Sequence, residues 1–450
     1  MRFLRHVAAS TLAATHVAYG LDIMINDTKS IDSGLSTIAY GMVKYYHGNE
    51  SGMIPGELGD PYYWWECGAM FNSLINYWYY TGDTTYNDIV KQGMLWQVGP
   101  DNDYMPPNQT KAEGNDDQIF WAFAAMSAAE LNFPNPSADE PQWVALAQGV
   151  FNSQAARWDS QYCAGGLRWQ IFTWNNGYDY KNSASNGGLF NLATRLGAYT
   201  GNQTYFDWAN KLWEWMHDDV ALIGDDYQVF DGTSIDDNCT SLDHTRWTYN
   251  QGMILNGAAT MWNQTNTTEW RERTQGLWNA SSVFFTEEMI MREVCEPTTN
   301  CNTDQLSFKA YLARFMAAST KVAPWLYDQM MPYIYKSATA AAQQCGGGSD
   351  GVTCGMKWTQ NSTWDGSYGV GQQMCALEVI QATTIKQTTA PVSADNGGTS
   401  KGDPSAGTSG DTTDAAAPTD PITTGDKAGA SVLTVVVLIG TCSMFYWLAT

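Results

Sequence analysis

Between residues 22 and 385 apolar positions recur at helical spacing in two distinct patterns, and the difference predicts the architecture. Around Met70, Leu74 and Trp78 the chain is apolar on nearly every side, as a helix covered from both directions must be. Around Trp208, Leu212 and Trp215 the apolar residues form one stripe, with Asp207, Lys211 and Glu214 elsewhere on the turn, the pattern of a helix with one face in water. Helical segments are predicted to begin near Ser30, Tyr62, Thr84, Asp116, Gln142, Ser185, Gln203, Thr245, Thr268, Gln305, Pro324 and Gly369. Strand signals are sparse, with a minor hairpin expected within residues 167–180.

The two helix types alternate, and the alternation repeats. Gly68-Ala69-Met70-Phe71-Asn72 leads to Tyr80-Thr81-Gly82-Asp83, and Gly188-Leu189-Phe190-Asn191 leads in the same way to Tyr199-Thr200-Gly201-Asn202. A weaker copy runs from Gly252-Met253-Ile254-Leu255-Asn256 to Trp262-Asn263-Gln264-Thr265. Each copy reads as a long helix, a Gly or Asn stop, a polar cap and a second helix. Six inner and six outer helices in alternation predict an all-α fold, an (α/α)6 barrel.

The ends of the chain change the picture of where this unit resides. Residues 1–20 have a basic start (Arg2, Arg5), an apolar run and a small residue at Gly20, the grammar of a signal peptide. Residues 386–431 lose their aromatics and are rich in Thr, Ser, Gly, Ala, Asp and Pro, which predicts a disordered stalk. Residues 432–450 are strongly apolar behind small polar residues at Thr424, Gly425 and Asp426, which reads as a glycosylphosphatidylinositol (GPI) signal with attachment at Gly425. A retained tail anchor is the alternative, although no basic flank supports it.

Sequons at Asn26, Asn49, Asn108, Asn202, Asn238, Asn263, Asn266, Asn279 and Asn361 fit a secreted glycoprotein. Setting aside Cys442 in the tail, an even set of cysteines in an oxidising compartment predicts four disulfides, with Cys295–Cys301 and Cys345–Cys354 as plausible local pairs. No CxxC or Cys/His cluster suggests a metal, and no cofactor motif is present.

A formal charge of −23 argues against nucleic acid, whose phosphates need Lys and Arg. A neutral polymer suits the chain better: 20 Trp and 24 Tyr supply flat faces for sugar rings, although most are expected in the core. His47, His217 and His244 belong to no HExxH, Ser or Cys triad, so carboxylates carry the candidate chemistry. Glycoside hydrolysis needs two of them. Adjacent acidic pairs occur at Asp116-Asp117, Asp218-Asp219, Asp225-Asp226, Asp236-Asp237 and Glu287-Glu288.

Only Asp116-Asp117 opens an inner helix, with Asn115 placed to cap it, and so faces the barrel mouth. Neighbouring carboxylates suit the close spacing of a retaining enzyme better than the water-straddling gap of an inverting one. An ordinary acidic helix start, worth about 0.3–1 kcal/mol against the macrodipole, explains the same pair without function. The loop holding Asp231, Asp236 and Asp237 borders the same cleft on this reading.

Taken in order, Tyr63-Trp64-Trp65-Glu66, Gly114-Asn115-Asp116-Asp117-Gln118, Asp231-Gly232 and Trp247-Thr248-Tyr249-Asn250-Gln251-Gly252 resemble glycoside hydrolase family 76. The resemblance is nearest to the fungal GPI-anchored mannan endo-1,6-α-mannosidases of cell-wall assembly and spans essentially all of residues 22–385. It implies an (α/α)6 barrel and a retaining mechanism, with Asp116 as nucleophile and Asp117 as acid/base. Trp64 and Trp65 are then expected to stack on mannose, or else to pack the core. Asp231 is expected to hold sugar hydroxyls. Tyr249, Asn250 and Gln251 are placed at the mouth, where helix capping competes with substrate contact for the last two. The implied partners are mannan, GPI-core glycan and wall glucan, with transfer of GPI-anchored glycoproteins to glucan as the physiological task, at the outer leaflet of the plasma membrane and the cell wall. A non-catalytic mannan-binding wall protein is the alternative.

Overall fold

The computed structural model describes residues 20–109, 113–360 and 363–408, with isolated positions 431, 434, 435 and 438. The signal peptide, Asn361, Gly425 and the stalk beyond residue 408 lie outside the described residues. In chain order the helices are α1 (Thr28–Val43), α2 (Trp64–Thr81), α3 (Asn87–Trp96), α4 (Asn115–Glu130), α5 (Trp143–Ala156), α6 (Ser183–Thr200), α7 (Gln203–Glu214), α8 (Thr248–Thr265), α9 (Thr268–Ala280), α10 (Phe308–Val322), α11 (Tyr327–Gln343) and α12 (Val370–Gln381).

The even-numbered helices form the inner ring: each packs on the next, and α12 closes on α2. The odd-numbered helices pack outside them, as the alternation predicts. Burial shows why the sequence sorts them this way. Every residue of α4 from Gln118 to Ala129 is buried, whereas α7 buries Tyr205, Ala209, Leu212 and Trp213 and turns Asp207, Lys211 and Glu214 to water. A helix wrapped on both sides has no polar face to spare, and each large side chain it buries contributes roughly 1.5–3 kcal/mol.

The predicted stops are present. Gly82 and Gly201 end α2 and α6 at φ +74° and +70°, and Asn266 ends α8 at φ +51°, the left-handed conformation that Gly and Asn tolerate. All eight sequon asparagines within the described residues, Asn26 through Asn279, are exposed.

Some expectations differ from what is found. The expected hairpin within residues 167–180 is a loop, and its only strand, β1 (Tyr180–Asn182), pairs antiparallel with the distant β2 (Gly232–Ser234), which pairs with β3 (Leu242–Asp243). Three disulfides form among the described residues, Cys163–Cys239, Cys295–Cys301 and Cys345–Cys354. The expected fourth does not, because Cys67 and Cys375 are buried free thiols on separate inner helices.

Ordered chain also continues past residue 385, where composition placed the start of the stalk. Residues 388–408 form a strap. Its Val392 and Ala394 amides donate to Glu130 O (2.9 Å) and Tyr199 O (2.8 Å), carbonyls at the C-terminal ends of α4 and α6 that have no helical partner. Ser400 Oγ accepts Val144 N (3.0 Å) in the first turn of α5, which lacks a side-chain cap of its own. The strap then runs along α5, with Asp403 N on Gln148 Oε1, Asn152 Nδ2 on Pro404 O and Ala406 O, and Gly407 N on Asp101 O. With the barrel base it borders an open-sided cavity of about 370 Å³ lined in part by Glu130, Arg195, Tyr199, Asn256 and Val392. Ending the chain after Gln387 is expected to lower the thermal unfolding midpoint by about 5 °C, read by calorimetry; an unchanged midpoint would show the strap to be passive.

Candidate active site

The N-terminal turns of the inner helices meet at one end of the barrel, and the acidic pair lies among them. Gly114, not Asn115, is the N-cap of α4, and Asn115 is its first helical residue. Having no side chain to cap with, Gly114 leaves the task to Asp117, whose Oδ2 reaches back to accept Gly114 N at 2.7 Å. Asp116 Oδ1 accepts Asp117 N (3.0 Å), and its Oδ2 accepts Asn182 Nδ2 (2.9 Å). Asn182 is fixed in turn, since its Oδ1 caps α6 by accepting Ser185 N (3.1 Å).

A methyl group at Gly114 would stand 2.5 Å from Asp116 Oδ1 and 3.0 Å from Asp117 Oδ2. These two oxygens are therefore no more than about 5.5 Å apart, too close to straddle a water as an inverting pair does. Glycine at 114 is a steric requirement of that approach.

Electrostatics at the pair oppose one another. The helix start favours negative charge, but burial, and for Asp116 the charge of Asp117, push both carboxyls up, Asp117 to about 7 and Asp116 well above the usual range. The pair holds a proton near neutrality. Burial and the charge of Asp117 raise Asp116 the further of the two even with its donors in place. Hydrogen bonding favours the reverse, because both Asp116 oxygens already accept N–H donors while Asp117 Oδ2 alone is so occupied. The other acidic pairs, at 218–219, 225–226, 236–237 and 287–288, are exposed.

Around the pair the predicted residues divide. Trp64 lies at the rim, half-buried, its Nε1 on Gln97 Oε1 (2.9 Å) and its ring stacked on Trp121. Trp65 is buried against Phe120 and serves as wall; its Nε1 donates to Asp304 Oδ1 at 3.1 Å. Asp231 is half-buried and accepts Tyr180 Oη at 2.8 Å, and burial raises its carboxyl. Tyr249 stacks on Phe308 at 4.0 Å, with its hydroxyl in the field of Asp231, Asp116 and Asp304. Asn250 is fully buried, with neither amide atom hydrogen-bonded. Gln251 is held away from the cleft by Val229 N, Tyr227 O and Leu277 O, so it braces a loop and α9.

Asp304 was missed. It lies just before α10 and within the field of Asp117, and burial raises it. In the sequence it carries the same signal as Asp116, an acid opening an inner helix, but it has no acidic neighbour to mark it. Asn182 was likewise invisible, since its contact with Asp116 spans a separation of 66 residues.

The family model described as glycosyl hydrolase family 76 matches residues 30–395. The mannan endo-1,6-alpha-mannosidase DCW1 of Saccharomyces cerevisiae is 49% identical over 438 residues, covering 97% of each chain. The crystal structure of Dfg5 from Chaetomium thermophilum in complex with glucosamine superposes with a TM-score of 0.82 at 41% identity, covering 86% of this chain and 97% of that one. An inactive variant of the alpha-1,6-mannanase GH76A of Salegentibacter sp., solved with alpha-1,6-mannotetrose, superposes at 0.64 with 16% identity over 79% of this chain and 98% of its own, a likeness of fold.

Proposed function

Because the chain belongs to glycosyl hydrolase family 76, we propose that it is a retaining endo-α-1,6-mannosidase of the fungal cell wall that works through Asp116 and Asp117. The observation that carries this reading is the pair itself, two carboxyl oxygens within about 5.5 Å at the mouth of an aromatic-walled cleft. Asp116, oriented by Asp117 N and Asn182 Nδ2, attacks the anomeric carbon and forms a mannosyl ester. Asp117 gives its proton to the departing glycosidic oxygen, then removes a proton from the acceptor that breaks the ester. Trp64 supplies a stacking face, Asp231 accepts sugar hydroxyls, and Tyr249 and Asp304 line the floor.

Water and a sugar hydroxyl are both competent acceptors. With a GPI-core glycan as donor and wall glucan as acceptor, the same two steps transfer a GPI-anchored glycoprotein to the wall. A signal peptide, glycans on the exposed sequons and a GPI anchor at Gly425 place the enzyme at the outer membrane face, beside these polymers.

Purified protein incubated with α-1,6-mannan and followed by proton NMR is expected to release products whose first-formed reducing ends are α. First-formed β ends would overturn the retaining mechanism. No product from mannan or from GPI-core glycan, with or without β-glucan acceptor, would overturn the enzymatic reading.

A further inference from the structure

The loop of residues 167–180 is stitched to the residues that precede the catalytic pair. Asn115 N donates to Trp169 O (2.8 Å), Asn115 Nδ2 donates to Arg168 O (2.9 Å), and Gly114 forms an antiparallel bridge with Gln170. At its far end Tyr180 Oη reaches Asp231, and Arg168 Nη1 closes the loop on Tyr178 O.

From this base the chain rises to Trp174, which is 61% exposed. One face of its indole lies on Phe172, with centroids 4.9 Å apart and planes at 17°. Phe172 is itself buried with Met105 and Ile171 in a small cluster separate from the main core. Short turns through Asn175 fix the backbone, and Asn175 Nδ2 binds Gln170 Oε1 (3.1 Å). The result is a rigid indole with one face backed and the other in water, beside the exposed Asn176 and Asp179.

The structural role of this loop needs only Phe172. Exposing a large aromatic ring and buttressing it from behind contributes little to folding, but it prepares a flat surface whose ordering entropy has already been spent. Even with Trp169, 37% exposed nearer the base of the same loop, two rings among amides and a carboxylate are too small an apolar area for a protein or lipid contact. It matches a pyranose, whose C–H face lies on the indole while its hydroxyls meet the surrounding polar groups.

We propose that Trp174, backed by Phe172, is a carbohydrate-stacking subsite on the rim outside the Asp116/Asp117 cleft, which takes a hexose ring of an α-1,6-linked mannan chain remote from the bond being cleaved. The inference rests on the mannosidase reading and adds to it a dependence on chain length. Binding energy gathered at a distance is realised only by substrates long enough to reach it.

The test compares wild type, Trp174→Ala and Trp174→Tyr on a ladder of α-1,6-mannooligosaccharides and on mannan, with binding measured separately by calorimetry in the Asp116→Asn background. In the wild type, kcat/KM climbs with chain length. In Trp174→Ala it is expected to stop climbing, with KM for the longest substrates raised about tenfold and the shortest turned over as before. Trp174→Tyr, which keeps a flat ring, should recover most of the length dependence. A parallel loss at every length, or no change, would overturn the subsite while leaving the mannosidase reading intact. Absence of turnover with Trp174-dependent binding of mannan in calorimetry would do the opposite. Loss of retention on phosphatidylcholine vesicles with unaltered mannan binding would reassign the ring to a lipid surface.

Discussion

Asp116→Asn is expected to reduce turnover of α-1,6-mannan more than about ten-thousandfold, and Asp117→Asn about a hundred- to ten-thousandfold. The asymmetry follows from the roles. Without a nucleophile no ester forms, whereas without the acid a substrate with a good leaving group still esterifies Asp116, so Asp117→Asn should accumulate a mannosyl-peptide detectable by mass spectrometry. An adduct on any other residue would overturn the assignment.

Wild-type activity should also fall at alkaline pH, as the pair loses the last proton it shares, the one that Asp117 must give. That alkaline limb should vanish in Asp117→Asn. Both variants should fold. Asp117 binds its proton more tightly folded than unfolded, about 7 against 3.8. Its contribution to stability is therefore whole below about pH 4 and is lost as pH rises toward and through 7. A neutral amide escapes that loss, and each variant should melt at or above the wild-type midpoint at pH 7. Inactivity accompanied by a lower midpoint would point to misfolding and not to lost chemistry.

The largest effect on stability is expected deeper in the barrel. Arg314 of α10 donates from Nε (2.9 Å) and Nη2 (2.5 Å) to Glu378 Oε1 of α12, from Nη2 to Ser73 Oγ (2.8 Å) and from Nη1 to Asn72 Oδ1 of α2. Asn76 and Gln381 complete the shell around Glu378. Both charged side chains are nearly inaccessible, 6% and 2%. Arg314→Ala leaves Glu378 buried without its countercharge and should cost about 3–5 kcal/mol in urea-induced unfolding. Joining it with Glu378→Gln removes the orphaned charge, and Arg314→Met with Glu378→Gln should recover more than half of the loss. A double variant no better than Arg314→Ala would mean that packing around the guanidinium, and not charge, holds the three helices together.

How much of this was legible in the sequence depends on the range over which each signal acts. Helical patterning is local, so the twelve helices, their alternation and the glycine stops at 82 and 201 could be read directly, and closure of the ring followed from their number. The acidic pair could be read as a candidate because its setting, the first turn of an inner helix, is also local. What failed was set by contacts distant in sequence. Asn182, Asp304 and the loop that β1 shares with β2 acquire meaning only when the ring closes. Gln251 carries the same motif context as Tyr249, but the helical turn aims it at Val229 and Leu277, away from the cleft. The strap misled for a different reason. Its composition cannot build a core, but it is held mainly through backbone groups and small polar side chains that complete helix ends, and this needs no aromatics.

The direction in which the strap runs has a mechanical consequence. It passes along α5 from Val144 toward Asn152 and departs beside Asp101, so a pull on the chain beyond Thr408 meets the contact at Asp101 first, then Asn152, Gln148 and Ser400. These bonds are loaded one after another, as in peeling, and not all at once, as in shear. If the chain is anchored at Gly425 as proposed, tension would lengthen the connection by several residues at low force before it reached the amides of Val392 and Ala394 that close the barrel base, giving the catalytic unit some reach while its fold stays intact.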